Sequence, residues 1–299
     1  MALALVLLAC GSAAPFSLPG ESPRPKVRGL AFVRLSVSDL AKSRTFYQDV
    51  LQLGNHFNDC LGPKSVCFRL NPSQTIELVQ PDAPPGESFL EEVGFWTDDL
   101  EKMHHFLKSA GNVKPAQIVS GYDDRKRFEV RDPENHAIAF VSPPLPVSFF
   151  SWSTQVSRRI LHAGFVVKDM AAENHFYRDL LGFRLYWQGG FQDDGLDWYE
   201  IQVPEGDNWI EYMLNISPTA DHNELGVQNH ISLGVQDIHA AAELLRQHGL
   251  EKFDGPEIGR DGKWSLDVYD PDGTRIEFME FAPAQKPCCH PYTAAHPNP

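Results

Sequence analysis

Four times along the chain a short apolar strand runs into an aspartate, a large apolar residue and then a helix that closes near a glycine. The four instances are AFVRLSVSDL, EEVGFWTDDL, HAGFVVKDM and HISLGVQDI. Self-similarity of this kind marks one fold unit used four times. In each copy Asp39, Asp99, Asp169 or Asp237 stands at the helix start. There its carboxylate can accept from unpaired N–H groups of the first turn and face the positive end of the dipole. Apolar runs separated by turn residues follow each helix. The second and fourth copies end in hairpins that turn at Asp132-Pro133-Glu134-Asn135 and Asp270-Pro271-Asp272-Gly273. Each unit therefore reads β-α-β-β-β, and the fold class is α+β.

The units occupy residues 28–82, 88–143, 159–217 and 227–283. Laying the second on the fourth pairs Asp99 with Asp237, Gly111 with Gly249 and Asp132 with Asp270, each pair 138 residues apart, so the halves are a duplication without gaps. The aperiodic, proline-containing SPPLPVSFFSWSTQ between the second and third units marks the domain boundary. Two two-module domains are expected, over residues 28–145 and 157–284. With 299 residues, 42% of them apolar, the chain can fill two cores.

The ends read differently. MALALVLLA is apolar but too short to span a bilayer, and GSAAPFSLPGESPRPKVR after it has the composition of a tether. Residues 1–27 are read as an export signal and tether, which implies an exported protein, periplasmic if the source is bacterial. Leu7-Leu8-Ala9-Cys10 is similar to the lipid-attachment box of bacterial lipoproteins and implies a lipid anchor at Cys10; cleavage near Ala13 or a truncated start are the rivals. Cys60 and Cys67 suit a disulfide across a hairpin in an oxidising compartment, with two buried thiols as the alternative. The tail QKPCCHPYTAAHPNP, residues 285–299, offers little to pack and is expected to be disordered. A formal charge of −14 argues against partners with phosphate backbones or anionic headgroups, leaving no nucleic acid and favouring a small-molecule substrate.

Strand alternation locates the chemistry. HAGFVV puts His162, Gly164 and Val166 on one face, and HISLGV puts His230, Ser232 and Gly234 there, so both imidazoles have small neighbours. In the last strands of the same units, Glu211 in NWIEYML and Glu277 in RIEFMEF are charges among apolar residues, which burial forces to be paired or metal-bound. His162 precedes Glu211 by 49 residues and His230 precedes Glu277 by 47, giving two matched half-sites. Two imidazoles and two carboxylates neutralise one divalent cation. The bland alternative is a pair of satisfied core histidines with two structural ion pairs. His104, His105, His175, His239 and His248 fall on helices and are read as solvated.

This pattern resembles the vicinal oxygen chelate superfamily, which includes glyoxalase I, extradiol dioxygenases and bleomycin-resistance proteins. The resemblance implies two modules per domain curled into a half-open β-barrel with helices outside, and ligands from the first and last strand of each module. It assigns one divalent metal (Zn, Ni, Co, Mn or Fe) to His162, Glu211, His230 and Glu277. In the first domain Phe32, Glu92 and Ala139 replace three of the ligands and leave only Glu77, so no metal is expected there. The implied substrate is a small molecule that chelates through adjacent oxygens. The two-His two-Glu set is similar to glyoxalase I and implies lyase or isomerase chemistry through a metal-bound enediolate, with Glu277 or Glu211 as the base. An extradiol dioxygenase using His162, His230 and Glu277 is the alternative, although EIGRDGKWSLDVY lacks the histidine that family carries before its Asp-Pro turn. A non-catalytic ligand-binding or resistance protein is the third reading. Trp187, Trp198, Tyr199 and Trp209 are candidates for a pocket wall, or for core and barrel rim.

Overall fold

The computed structural model describes residues 24–83, 89–144 and 155–299. The leader, the Cys10 box and most of the interdomain segment lie outside the described residues. The first unit runs β1 (Val27–Ser36), α1 (Leu40–Thr45, extended by a wider turn over Phe46–Val50), β2 (Asn55–Asn58), β3 (Ser65–Arg69) and β4 (Thr75–Val79). The second runs β5 (Leu90–Thr97), α2 (Leu100–Ser109), β6 (Val119–Ser120), β7 (Lys126–Arg131) and β8 (Ala137–Val141). In the third, β9 (Ile160–Val166) and α3 (Met170–Asn174, extended over His175–Leu180) lead into β10 (Arg184–Gly189), β11 (Trp198–Gln202) and β12 (Trp209–Met213). A short α4 (His222–Gln228) precedes the fourth: β13 (His230–Val235), α5 (Ile238–Gln247), β14 (Asp254–Ile258), β15 (Trp264–Tyr269) and β16 (Arg275–Glu280). All four aspartates cap their helices through side-chain bonds to backbone N–H groups, as the sequence requires.

Units pair within each half. One sheet has the order β2-β3-β4-β1-β5-β8-β7-β6 and the other β10-β11-β12-β9-β13-β16-β15-β14. The first strands of paired units meet antiparallel at the centre, β1 with β5 and β9 with β13, and each is flanked by the last strand of its own unit in parallel. This topology brings the first and last strands of both modules side by side, so four equivalent positions face one another on the inner side of each curled sheet. Apolar residues of the opposite face form one continuous core with the helices, including Phe95, Phe140, Phe165, Tyr177, Ile210 and Phe278. The two half-barrels therefore pack back to back. Ring contact between Phe95 and Phe183 (5.4 Å) and bonds from Gln74 to the backbone of Ile160 hold them together.

Two expectations about the ends need comment. Cys60 and Cys67 form a disulfide. The tail over residues 285–299 is not disordered, contrary to expectation, because its partners are distant in sequence. Ala284 and Gln285 donate to Gly262 O, Thr293 N donates to Tyr186 O, and Tyr186 Oη meets His296 Nδ1 at 2.8 Å. The tail thus joins the β14–β15 turn to β10, the two edges of the second sheet. Cys288 and Cys289 are disulfide-bonded to each other.

Candidate metal centre

The four residues singled out in the second domain converge. His162 Nε2 and His230 Nε2 are 3.0 Å apart, and Glu211 Oε2 lies 3.6 Å from the first and 3.2 Å from the second. Glu277 Oε2 approaches His162 Nε2 at 3.4 Å. Metal–ligand bonds of about 2.0–2.2 Å put neighbouring donor atoms about 2.8–3.6 Å apart in octahedral or tetrahedral sites, and these spacings match. His162, Glu211 and His230 form the compact part of the set, and Glu277 reaches it through His162 alone.

The register explains the convergence. His230 stands opposite Gly164 and Ser232 opposite His162 across the central pair, while Glu211 and Glu277 flank Gly164 and Ser232 in the parallel pairs. A Cβ on Gly164 would lie 2.1 Å from His230 Cε1, so only glycine leaves the imidazole its place. His230 Nδ1 bonds Gln228 O at 3.0 Å, which assigns the proton to Nδ1 and leaves the Nε2 lone pair facing the centre. Burial, and then His230 for His162 and Arg275 for His230, holds both imidazoles below their usual values. Neutral imidazoles keep the lone pairs a metal needs. Glu277 is pushed well above the carboxylate range by burial and by Asp267, and its Oε2 has no hydrogen-bond partner among the described residues. Orphaned donor atoms, a glycine-made space and matched spacings all fit a divalent ion.

The surroundings add groups that sequence reasoning missed. Glu200 and Asp267 are the cross-strand neighbours of Glu211 and Glu277, an alternation that was there to be read in WYEIQ and WSLDVY. Lys263 had no periodic signal. It is fully buried, with Nζ 4.3 Å from the Trp209 ring centre, about 5 Å from those of Tyr186 and Tyr292, and 3.7 Å from Met279 Sδ. Its charge opposes those of buried Glu200 and Asp261, and Asp261 also accepts from Tyr292 Oη of the tail at 3.0 Å. A cleft of about 300 Å³ opens beside the centre, walled by Trp187, Phe191, Trp198 and Met279 and floored by Glu200, Glu211 and Glu277. Of the aromatic candidates, Trp187 and Trp198 therefore wall a pocket. Trp209 packs behind His162 (4.9 Å between rings), and Tyr199 lies in the core shared with the helices. Larger hollows elsewhere, such as one of about 730 Å³ beside α5, hold none of the four donors.

The first domain solves the same problem differently. Register puts Phe32, Glu92, Glu77 and Ala139 at the positions of His162, His230, Glu211 and Glu277, and Arg34 at that of Gly164. Arg34 crosses the centre to meet Glu77 at 2.7 Å and Glu92 at 2.6 Å, and Arg127 adds a 2.7 Å contact to Glu92. A guanidinium fixed in the chain occupies the middle of that sheet.

A curled pair of β-α-β-β-β modules with histidine and carboxylate donors at its centre defines a metal-chelate scaffold. The family model for the Glyoxalase/Bleomycin resistance protein/Dioxygenase superfamily matches residues 29–140 and 159–278, and the chain belongs to that superfamily. It is 32% identical over 125 residues to a lactoylglutathione lyase of Haemophilus influenzae, covering 41% of this chain and 92% of that protein. A probable chloroplastic lactoylglutathione lyase of Arabidopsis thaliana is 25% identical over 141 residues, 46% of this chain and 40% of the plant protein. Among solved structures, homoprotocatechuate 2,3-dioxygenase from Arthrobacter globiformis superposes with a TM-score of 0.67 at 18% identity, over 86% of this chain and 81% of that one. A variant of the Brevibacterium fuscum enzyme gives 0.68 at 19% identity, over 93% and 75%. These likenesses are of fold.

Proposed function

We propose that the chain is a metal-dependent lyase or isomerase of glyoxalase I type, acting on a small substrate that chelates through two adjacent oxygens. The observation that carries the reading is the set of two imidazoles and two carboxylates in contacts of 3.0–3.6 Å, the imidazoles buried behind Glu211 and Glu277, which line the cleft. A divalent ion held by His162, Glu211 and His230 would supply Lewis-acid stabilisation of negative charge on the substrate oxygens. Glu277 is the better base of the two glutamates. It is tied to the set by one contact where Glu211 has two, and its Oε2 has no hydrogen-bond partner among the described residues, so it could turn to a substrate carbon and move a proton between neighbouring carbons. Trp187 and Trp198 would orient the substrate, and the tail strapped across the sheet edges would limit water.

One observation favours a second reading, a ring-cleaving dioxygenase: the four-module architecture matched over most of both chains. Against it, the cleft lining offers carboxylates and aromatic rings but no histidine.

The test is reconstitution with Mn, Fe, Co, Ni and Zn in turn, with metal counting by elemental analysis and assays of α-ketoaldehyde–thiol adducts against catechols. Glu277→Gln should retain metal and lose about 10²–10⁴-fold in kcat, the usual worth of a general base. Glu211→Gln should lose metal. Parent protein that binds no ion, or turnover of catechols alone, overturns the reading.

A further inference from the structure

Each domain's last hairpin docks on the other domain, and the duplication lets the two docks be compared. At one, Tyr177 Oη donates to Asp132 Oδ2 at 3.0 Å; at the other, Tyr47 Oη donates to Asp270 Oδ2 at 3.0 Å. The 138-residue offset sets Thr274 in the place of His136, and counting from the helix caps sets Ser43 in the place of Glu173. The second dock therefore ends in two buried hydroxyls and the first in an imidazole and a carboxylate.

The first dock is not a solvated charge cluster. Asp132 and Glu173 are buried, and His136 Nδ1 lies 2.8 Å from Asp132 Oδ2. Glu173 Oε1 accepts from Glu134 N at 2.9 Å, while Oε2 has no hydrogen-bond partner among the described residues. One donor atom from each of Asp132, His136 and Glu173 falls within 4.8 Å of the others. Burial, and after it the charges of Asp132, Glu134 and Asp169, pushes the Glu173 carboxyl up to about 8. Ionising the buried Glu173 carboxyl beside the buried Asp132 carboxylate is costly, and a bound cation removes the cost. His136 also lines a cleft of about 460 Å³ between the domains, which gives an ion a way in.

We propose that Asp132, His136 and Glu173 form a second, interdomain site for a divalent transition-metal ion, zinc being the ion best suited to one nitrogen and two oxygen donors. Two carboxylates balance the charge. His136 donates from Nδ1 and carries its proton on Nε2, and Tyr177 continues to orient Asp132. The ion pins the β7–β8 hairpin of the first domain to α3 of the second, where the other dock relies on hydrogen bonds from Tyr47 and Ser38 and on packing. The site shares no residue with the centre in the second half-barrel.

The experiment uses the full chain. Parent protein should hold about two equivalents of zinc and His230→Ala about one, with a melting temperature that rises on zinc addition. In the His230→Ala background, His136→Thr with Glu173→Ser copies the chain's own other dock and should hold none and show no zinc-dependent rise. Glu173→Gln, which keeps the side chain's shape, should weaken zinc binding at least about tenfold and covers the case in which the double change misfolds. One equivalent in the parent and none in His230→Ala overturns the interdomain site while leaving the half-barrel centre standing. One equivalent in both, lost with Glu173→Gln, supports it and sinks the centre instead.

Discussion

Replacing Gly164 with alanine tests whether the half-barrel centre is built around a metal, because it adds one methyl group and touches no donor atom. The new Cβ would sit 2.1 Å from His230 Cε1, 2.4 Å from Nδ1 and 2.9 Å from Nε2. Carbon atoms need about 3.5 Å or more, so the ring must move by more than about 1 Å. Its backbone cannot yield, being paired on one side with β9 and on the other with β16. Turning the ring breaks its 3.0 Å bond to Gln228 O or carries Nε2 out of the donor set. Coordination tolerates about 0.2 Å, so one ligand is lost. Loss of an outer-shell partner alone costs about 10–100-fold in metal affinity, so loss of a donor should cost at least about 100-fold, or about 2.7 kcal/mol. Cobalt affinity by competition with a chromophoric chelator, taken in a Glu173→Gln background so that the half-barrel centre is read by itself, with circular dichroism to confirm folding, measures it. Gly94→Ala is the control, since its Cβ would meet the Phe32 ring at 2.2 Å in the domain without the donors, and it should lower stability but leave cobalt affinity unchanged. A folded Gly164→Ala protein binding within about threefold of parent would refute the account of the centre.

Two further outcomes follow from the inner faces. Arg34→Met leaves Glu77 buried without its partner and should cost about 3–5 kcal/mol in urea unfolding. Burial already holds Glu77 above its usual range despite Arg34, so the folded state binds its proton more tightly than the unfolded state and stability from this group falls as pH rises; the Arg34→Met deficit should therefore be larger at about pH 8 than at about pH 5. Deleting residues 285–299 uncovers Tyr186, Trp209 and Lys263, and should red-shift tryptophan emission and speed chelator stripping of the bound ion; unchanged stripping would show that the strap does not guard the centre.

Legibility tracked locality. The modules, helix caps and hairpin turns rest on periodicity and on single aspartates a few residues from what they bind, and sequence carries those directly. The convergence of His162, Glu211, His230 and Glu277 was also readable, because strand parity fixes a face and the repeat supplies matched spacings. What escaped depends on contacts across the fold. The tail has no apolar period because its bonds run to Tyr186, Gly262 and Gln202, far away in the chain. Lys263 sits in a turn whose sequence suggests exposure, and only the closing of tail over sheet buries it. Glu173 reads as an ordinary first-turn acid; nothing local says that another domain's hairpin covers it.

The two halves show how one topology carries either a silent or a competent centre. Pairing first strands antiparallel side by side and flanking each with its own last strand forces four side chains together on the inner face. Evolution of the centre is then a question of which cation neutralises the carboxylates gathered there. At Arg34 the chain supplies the cation itself, and a guanidinium bridging Glu77 and Glu92 leaves no coordination position for a substrate. At Gly164 the same register position carries no side chain and His230 fills the space, so Glu211 and Glu277 face imidazoles at the centre and have Arg275, from the start of β16, as a cation of the chain. An arginine bridge closes the first centre, whereas the second gathers imidazoles and carboxylates whose spacing fits an ion. The residue at one register position, Arg34 opposite Glu92 or Gly164 opposite His230, separates the two centres more than the surrounding acidic residues do.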